Sequence, residues 1–402
     1  MAAEANACPV LTLKPGREKS LLRRHPWIFS GAIGAVAGDP GPGESVEVRS
    51  SRGDFLAWAA YSPRSQIRGR VWSFDRSEAP GPKLFRRRLQ AALDLRAALL
   101  APDAGDAMRL VHGESDGLPG LIVDRYAGVL VVQFLAAGSE RWRDALTALL
   151  CELTGCDRIH ERSDAEVREL EGLPRRSGAL RGEALSAPVE ITEHGLRFLV
   201  DAAGGQKTGF FLDQRANRQR IRALCADREV LDCFCYSGGF SLAALAGGAR
   251  AVVAVDSSPA ALALARRNTG ANGIDPGRAH WIAADVFRFL REAHARGLGY
   301  DAIVLDPPKF APTQSHAQAA SRAYKDINLF AFRLLRPGGL LATFSCSGGI
   351  SGELLHKIVA GAAADAGVSA TIVERFQAAA DHPLLLEFPE GEYLKGLLLR
   401  RN

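Results

Sequence analysis

The C-terminal half of this sequence predicts an α/β fold, a parallel sheet covered by helices on both faces. Three observations predict it. From Arg228 onward, strand-like and helix-like segments alternate regularly. The first strand runs into a Gly238-Gly239 turn at a helix start. An acid closes each of the first four strands in order: Asp232, Asp256, Asp285 and Asp306.

The expected strands are Val230–Cys233, Ala251–Val255, His280–Ala283, Ala302–Leu305 and Leu340–Ser345. Helical stretches such as Pro259–Asn268 and Val286–Arg296 lie between them. Upstream, Val189–Val200 alternates around Glu193-His194-Gly195 and reads as a hairpin. The first segment, Leu11 to Ser77, has short apolar stretches broken by Gly and Pro. Ser45–Arg49, Phe55–Ala60 and Gly69–Phe74 read as strands of a small β-barrel, followed by a linker at Glu78–Pro82. A helix over Lys83–Leu100, strands at Met108–Val111, Leu121–Val123 and Val129–Phe134, and a helix over Glu140–Leu153 make a central α+β unit. The expected domains are therefore 1–78, 83–187 and 188–402, as 402 residues exceed what one core usually organises.

Composition excludes several classes. With 47% hydrophobic and 24% charged residues, this is an ordinary globular chain, and no apolar run is long enough for a membrane helix. Residues 1–13 lack the basic-then-apolar pattern of a secretory signal. The seven cysteines form no C-x-x-C pair and the nine histidines stand at no ligand spacing. Reduced thiols in a cytoplasmic protein without a metal are expected. Cys151, Cys156 and Cys225 read as core residues on apolar helical faces, Cys233 and Cys235 as packing beside the glycine turn. The net charge of +5 is unevenly spread: residues 1–90 hold fifteen Lys and Arg against eight Asp and Glu. That basic module suits a nucleic-acid partner, although a solvated basic surface, Arg86-Arg87-Arg88 included, explains the count equally well.

In doubly wound sheets, ligands bind beyond the carboxyl ends of the strands. The turn Asp232 to Gly239, with Tyr236 and Ser237, lacks the G-x-G-x-x-G that cradles a pyrophosphate. It suits S-adenosylmethionine, which has none. Asp256 stands where an acid accepts from ribose hydroxyls, and Asp285 where one receives the adenine amino group; Asp232 and Asp285 are also ordinary helix caps. In Asp306-Pro307-Pro308-Lys309-Phe310 two prolines stiffen the chain, presenting a carboxylate and an aromatic face to a flat nitrogenous ring. Cys346, between Ser345 and Ser347, stands beside the transfer path. A thiolate adding at C6 of a pyrimidine makes C5 nucleophilic towards a methyl donor, and Asp306 sharing a proton at N3 stabilises the adduct. A buried inert cysteine is the competing reading.

At these residues the sequence resembles the RlmI-type family of bacterial large-subunit ribosomal RNA cytosine-C5 methyltransferases. The resemblance rests on Leu13–Arg17, His25–Phe29, Glu114–Tyr126, Gln206–Arg215, Asp306–Phe310, Ser345–Ser347 and Pro389–Lys395. It implies a PUA RNA-binding domain, a central α+β domain and a seven-stranded class I, Rossmann-like methyltransferase domain. It further implies that Cys346 is the nucleophile, that Gln206–Arg215, with Phe211 and Asp213, helps close the cofactor pocket, and that ribosomal RNA is the partner. A homodimer is compatible with it. Many RNA enzymes of this chemistry carry a cysteine where this chain has Asp306, so a single-thiol route is required. Two rivals stay open: an exocyclic-amine methyltransferase, which needs no thiol, and a non-catalytic RNA-binding protein that keeps the fold.

Overall fold

The computed structural model describes residues 8–310 and 317–402, so residues 1–7 and 311–316 of the expected outer domains lie outside the described residues. The chain divides into two compact units. The first comprises Met1–Ile191, Val200–Phe211 and Ala380–Gly391; the second comprises Thr192–Leu199, Leu212–Ala379 and Glu392–Asn402.

In the second unit seven strands form one sheet: β1 (Glu229–Cys233), β2 (Ala251–Asp256), β3 (Ala279–Ala283), β4 (Tyr300–Leu305), β5 (Leu335–Ser345), β6 (Ala370–Gln377) and β7 (Lys395–Arg401). Their order is β3-β2-β1-β4-β5-β7-β6, with β1 to β5 parallel and β7 antiparallel to both its neighbours. The helices are α1 (Arg215–Arg222), α2 (Gly239–Ala246), α3 (Pro259–Ala271), α4 (Val286–Ala295), α5 (Ala317–Leu334) and α6 (Gly352–Asp365).

The central parallel strands are apolar on both faces because both are covered. Leu231, Val255, Ile303 and Leu305 pack with Leu290, Tyr324, Phe332 and Leu355 of α4, α5 and α6. Val230, Val252 and Val304 pack with Ile221, Phe240 and Leu262 of α1, α2 and α3. Each fully buried side chain of this size contributes about 1.5–3 kcal/mol. Helix starts are capped by side chains: Ser258 Oγ accepts from Ala261 N, Asp285 Oδ1 from Arg288 N and Ser351 Oγ from Leu354 N.

The first unit contains two larger sheets. Six strands run in the order Trp27–Phe29, Ile67–Ser73, Phe55–Tyr61, Ser45–Arg49, Val10–Leu13, Ile33–Ala37, around Leu11, Ile28, Val46, Val48 and Val71. Five more run in the order Arg176–Arg181, Ile159–Ser163, Val129–Phe134, Leu121–Tyr126, Ala107–His112, packed by the helices Pro82–Leu99 and Arg143–Thr154. The helix expected over Glu140–Leu153 is two helices, Ala137–Arg141 and Arg143–Thr154, broken at Trp142. Cys156 and Cys225 lie outside helices, although Cys225 is buried as expected.

Helices α1 and α2 approach so closely that a Cβ added at Gly247 would stand 1.9 Å from the Arg222 carbonyl oxygen. Backbone must then move, so Gly247→Ala should lose about 1–3 kcal/mol in urea unfolding. Gly270→Ala, inside α3 with nothing within 4 Å, should instead be neutral or gain about 0.5–1 kcal/mol.

Candidate active site

Beyond β1 the chain turns through an unusual loop. Phe234 (φ 63°), Tyr236 (φ 47°) and Gly238 (φ 84°) all adopt left-handed backbone, which costs the two non-glycine residues about 1–3 kcal/mol each. Their amides offset that cost. Phe234 N donates to Val255 O at 2.8 Å, Tyr236 N to Asp256 Oδ2 at 2.9 Å and Gly238 N to Cys235 O at 2.8 Å. Buried Asn268 donates to Ser237 O at 3.1 Å. Gly238 is required twice, for its φ and because a Cβ would come 2.7 Å from the Trp281 ring. Gly239 starts α2 against Arg218, itself held by a bidentate pair to Glu193 at 2.7 and 2.6 Å.

The strand-end acids divide into different roles. Asp232 is buried inside β1; Oδ2 accepts from Ser241 Oγ at 2.6 Å, while buried Oδ1 has no hydrogen-bond partner. Burial, above all, and the Asp306 and Asp256 carboxylates push its pKa up to about 7 against the Ser241 hydrogen bond. Such an orphaned acceptor suits a donor on a ligand. Asp256 is half-buried and accepts from Tyr236 N and Ser258 N, one amide on each oxygen, leaving acceptor capacity on both. Asp285 is exposed, two residues beyond β3, and caps α4.

At the other two strand ends, Asp306 N donates to Cys233 O at 3.4 Å, and the Cys346 thiol lies 3.9 Å from Pro307 O. The structure thus brings Asp232, Asp306, Pro307 and Cys346 together across three adjacent strands. Pro308 and Lys309 are exposed. Phe310, expected as a stacking face, is half-buried among Phe234, Phe287 and Tyr324, with centroids 6.4, 5.9 and 5.0 Å away. Asp213 is buried and accepts from the Tyr393 hydroxyl at 2.6 Å, joining two of the singled-out segments. Phe211 groups with the first unit, under the Lys207 ammonium at 4.6 Å. There Thr208 ties the same segment to the central sheet, donating to Asp124 Oδ2 at 2.6 Å and meeting the Tyr126 hydroxyl at 2.9 Å.

Sequence reasoning missed Tyr324, Asn268 and Trp281, which sit in helices and a strand with no distinguishing spacing. It gave Lys395 no role of its own, although Lys395 closes the Pro389–Lys395 segment.

A model of the S-adenosylmethionine-dependent methyltransferase family matches residues 108–400, and a PUA-like domain model matches residues 11–74. The "Ribosomal RNA large subunit methyltransferase I" of Klebsiella pneumoniae subsp. pneumoniae is 49% identical over 392 residues, 98% of each chain. The chain belongs to this methyltransferase family. A protein of the same name from Cronobacter sakazakii is 48% identical, covering 96% of this chain and 98% of its own. A Streptococcus mutans structure titled as a SAM-dependent methyltransferase shares the fold. It has a TM-score of 0.84 at 22% identity, over 97% of this chain and 99% of the other. The methyl donor is S-adenosylmethionine. Among the described residues no side chains cluster as a metal site and no helix is long and apolar enough to cross a membrane.

Two predictions follow from the acids. With Asp256 on the ribose hydroxyls, Asp256→Ala removes charge-assisted hydrogen bonds worth roughly 1.5–3 kcal/mol each. Calorimetry should show at least about a tenfold loss of S-adenosylmethionine affinity in a folded protein; unchanged affinity would remove that role. Asp232 retains a proton in the native protein up to a pH of about 7 that the unfolded chain loses near its ordinary 3.8. Stability of the ligand-free protein should therefore fall as pH rises through that window. Asp232→Asn, which cannot ionise, should flatten this slope in urea unfolding at pH 5.5 and 8.

Proposed function

We propose that this methyltransferase makes 5-methylcytidine in large-subunit ribosomal RNA, with Cys346 as nucleophile. The observation that carries the proposal is the Cys346 thiol beside the Asp306-Pro307 exit, at 3.9 Å from Pro307 O. A carboxylate able to meet a base edge and a sulfur able to attack the ring then share one floor. The large-subunit ribosomal RNA methyltransferases at 48–49% identity support the substrate, and the PUA-like match supports RNA capture.

Carbon 5 of cytosine is a poor nucleophile. The Cys346 sulfur forms a bond to C6, and the electron pair of the C5–C6 double bond moves towards C5. Asp306 sharing a proton at N3 limits the charge built up in the ring. S-adenosylmethionine supplies the electrophilic methyl on its sulfonium. After transfer a base takes the C5 proton, the C5–C6 double bond re-forms and the Cys346 thiolate leaves. The target base must leave its stack to reach this floor. Asp232, Asp256 and Asp285, with Tyr236 to Gly239, Phe211 and Asp213, are proposed to bind the donor, and Pro307 to Phe310 to bind the base.

Cys346→Ala should bind both substrates and transfer no methyl group, a loss far beyond the few-fold effect of altered packing. RNA carrying 5-fluorocytidine at the target should trap the wild-type protein covalently, since fluorine cannot leave as a proton does. Cys233→Ala and Cys235→Ala, at buried thiols, should still trap. Full turnover by Cys346→Ala would overturn the C5 mechanism in favour of exocyclic-amine methylation.

A further inference from the structure

The loop that carries Cys346 is held by groups for which the chemistry above has no use. Tyr324, fully buried on α5, places its hydroxyl 2.9 Å from Ser345 Oγ and 3.0 Å from Ser347 Oγ, on either side of Cys346. Ser347 N donates to Ser345 Oγ at 3.3 Å. Lys395 opens β7 directly opposite Ser345 in the antiparallel register. Its ammonium is buried and donates to Ser347 O at 3.3 Å. The backbone and both flanking side chains of the loop are thus fixed.

The surroundings of Lys395 make its charge conspicuous. Among the described residues no carboxylate forms an ion pair with it. An ammonium taken out of water without a counter-ion is strongly disfavoured. Burial accordingly lowers the Lys395 pKa; the Glu392 carboxylate and the Cys346 sulfur oppose this, and Lys309 adds to it. Glu392 is exposed, so water screens it. The Ser347 carbonyl that the ammonium meets adjoins Cys346, so the Cys346 thiol is the group beside it that can become an anion.

We propose that Lys395 is a positioning residue for Cys346. Its buried ammonium is the counter-ion that holds the neighbouring sulfur as thiolate, on a loop that Tyr324 keeps rigid. The ion pair stands without the RNA chemistry, whereas its purpose rests on Cys346 being the nucleophile proposed above. Around this cluster Asp306, beyond β4, and Cys346 act on Tyr324 of α5, while Glu392, Cys346 and Lys309 act on Lys395 at the start of β7. Asp306 and Glu392 oppose the thiolate. Lys309 favours it from an exposed position, and burial keeps Tyr324 neutral by raising its pKa.

The test is alkylation of Cys346 by iodoacetamide across pH in the full-length protein without RNA, followed on the Cys346 peptide by mass spectrometry. The thiolate displaces iodide, so the rate reports the thiolate fraction. The wild-type midpoint should lie below the ordinary thiol value of about 8.5. Lys395→Met should raise it by about one pH unit, slowing alkylation near pH 7 about tenfold, and Lys395→Arg should restore most of the rate. An unmoved midpoint in Lys395→Met overturns the proposal, as does weakened S-adenosylmethionine binding with an unmoved midpoint, which would assign the lysine to the donor. A wild-type midpoint at or above the ordinary value overturns it without any variant, so a misfolded Lys395→Met cannot shelter it. A lowered midpoint with no 5-fluorocytidine trapping would sink the C5 reading alone; trapping with an ordinary midpoint would sink the ion pair alone.

Discussion

The parallel pairing of β4 with β5 is the constraint on which the site depends. Leu305 pairs with Thr343, and on the other side of β4 the same Leu305 pairs with Cys233 of β1. Three chain exits therefore open side by side, carrying Asp232, Asp306 and Cys346. In a parallel sheet the strands end at the same edge, so here residues more than a hundred positions apart share a floor. The crossover from β4 to β5 has to pass over the sheet as a helix, and that helix is α5, which brings Tyr324 under the cysteine loop. The two prolines after Asp306 then stop the β4 exit from wandering.

Electrostatics works against this arrangement before any ligand binds. Burial above all, with the Asp306 and Asp256 carboxylates adding to it, leads Asp232 to keep its proton. On the Cys346 side the imbalance is reversed, with a buried cation that pairs with no carboxylate among the described residues. A domain selected for stability alone would replace both groups with apolar ones, since buried unpaired charge is among the most expensive features a core can carry. Their presence at one strand-end row marks it as a working surface.

The parallel strands were legible because burial on both faces leaves almost uninterrupted apolar runs, as in Ala251-Val-Val-Ala-Val255. The acids were legible because they break those runs at fixed places. Ile159–Ser163 was not, because Ile-His-Glu-Arg-Ser looks like a surface turn; its Glu161 is buried against Arg143 at 2.8 Å, an ion pair with no sequence signature. Strands β6 and β7 escaped because antiparallel additions follow no strand–helix alternation. Within the site, Cys346 stood out by chemistry, whereas Tyr324 is one of three aromatics in an eighteen-residue helix. Its role is set by two serines whose approach only the folded sheet defines.

The left-handed backbone at Phe234 and Tyr236 carries a consequence for the history of such a chain. Glycine at either position would relax the loop, and a search for stabilising substitutions would be drawn to both. The relaxed loop would also sample many more shapes, and a donor would then have to order it on arrival. Robustness and affinity thus pull in opposite directions at two neighbouring residues. A lineage that drifted towards the sturdier protein would pay for it in the donor concentration needed to saturate the enzyme.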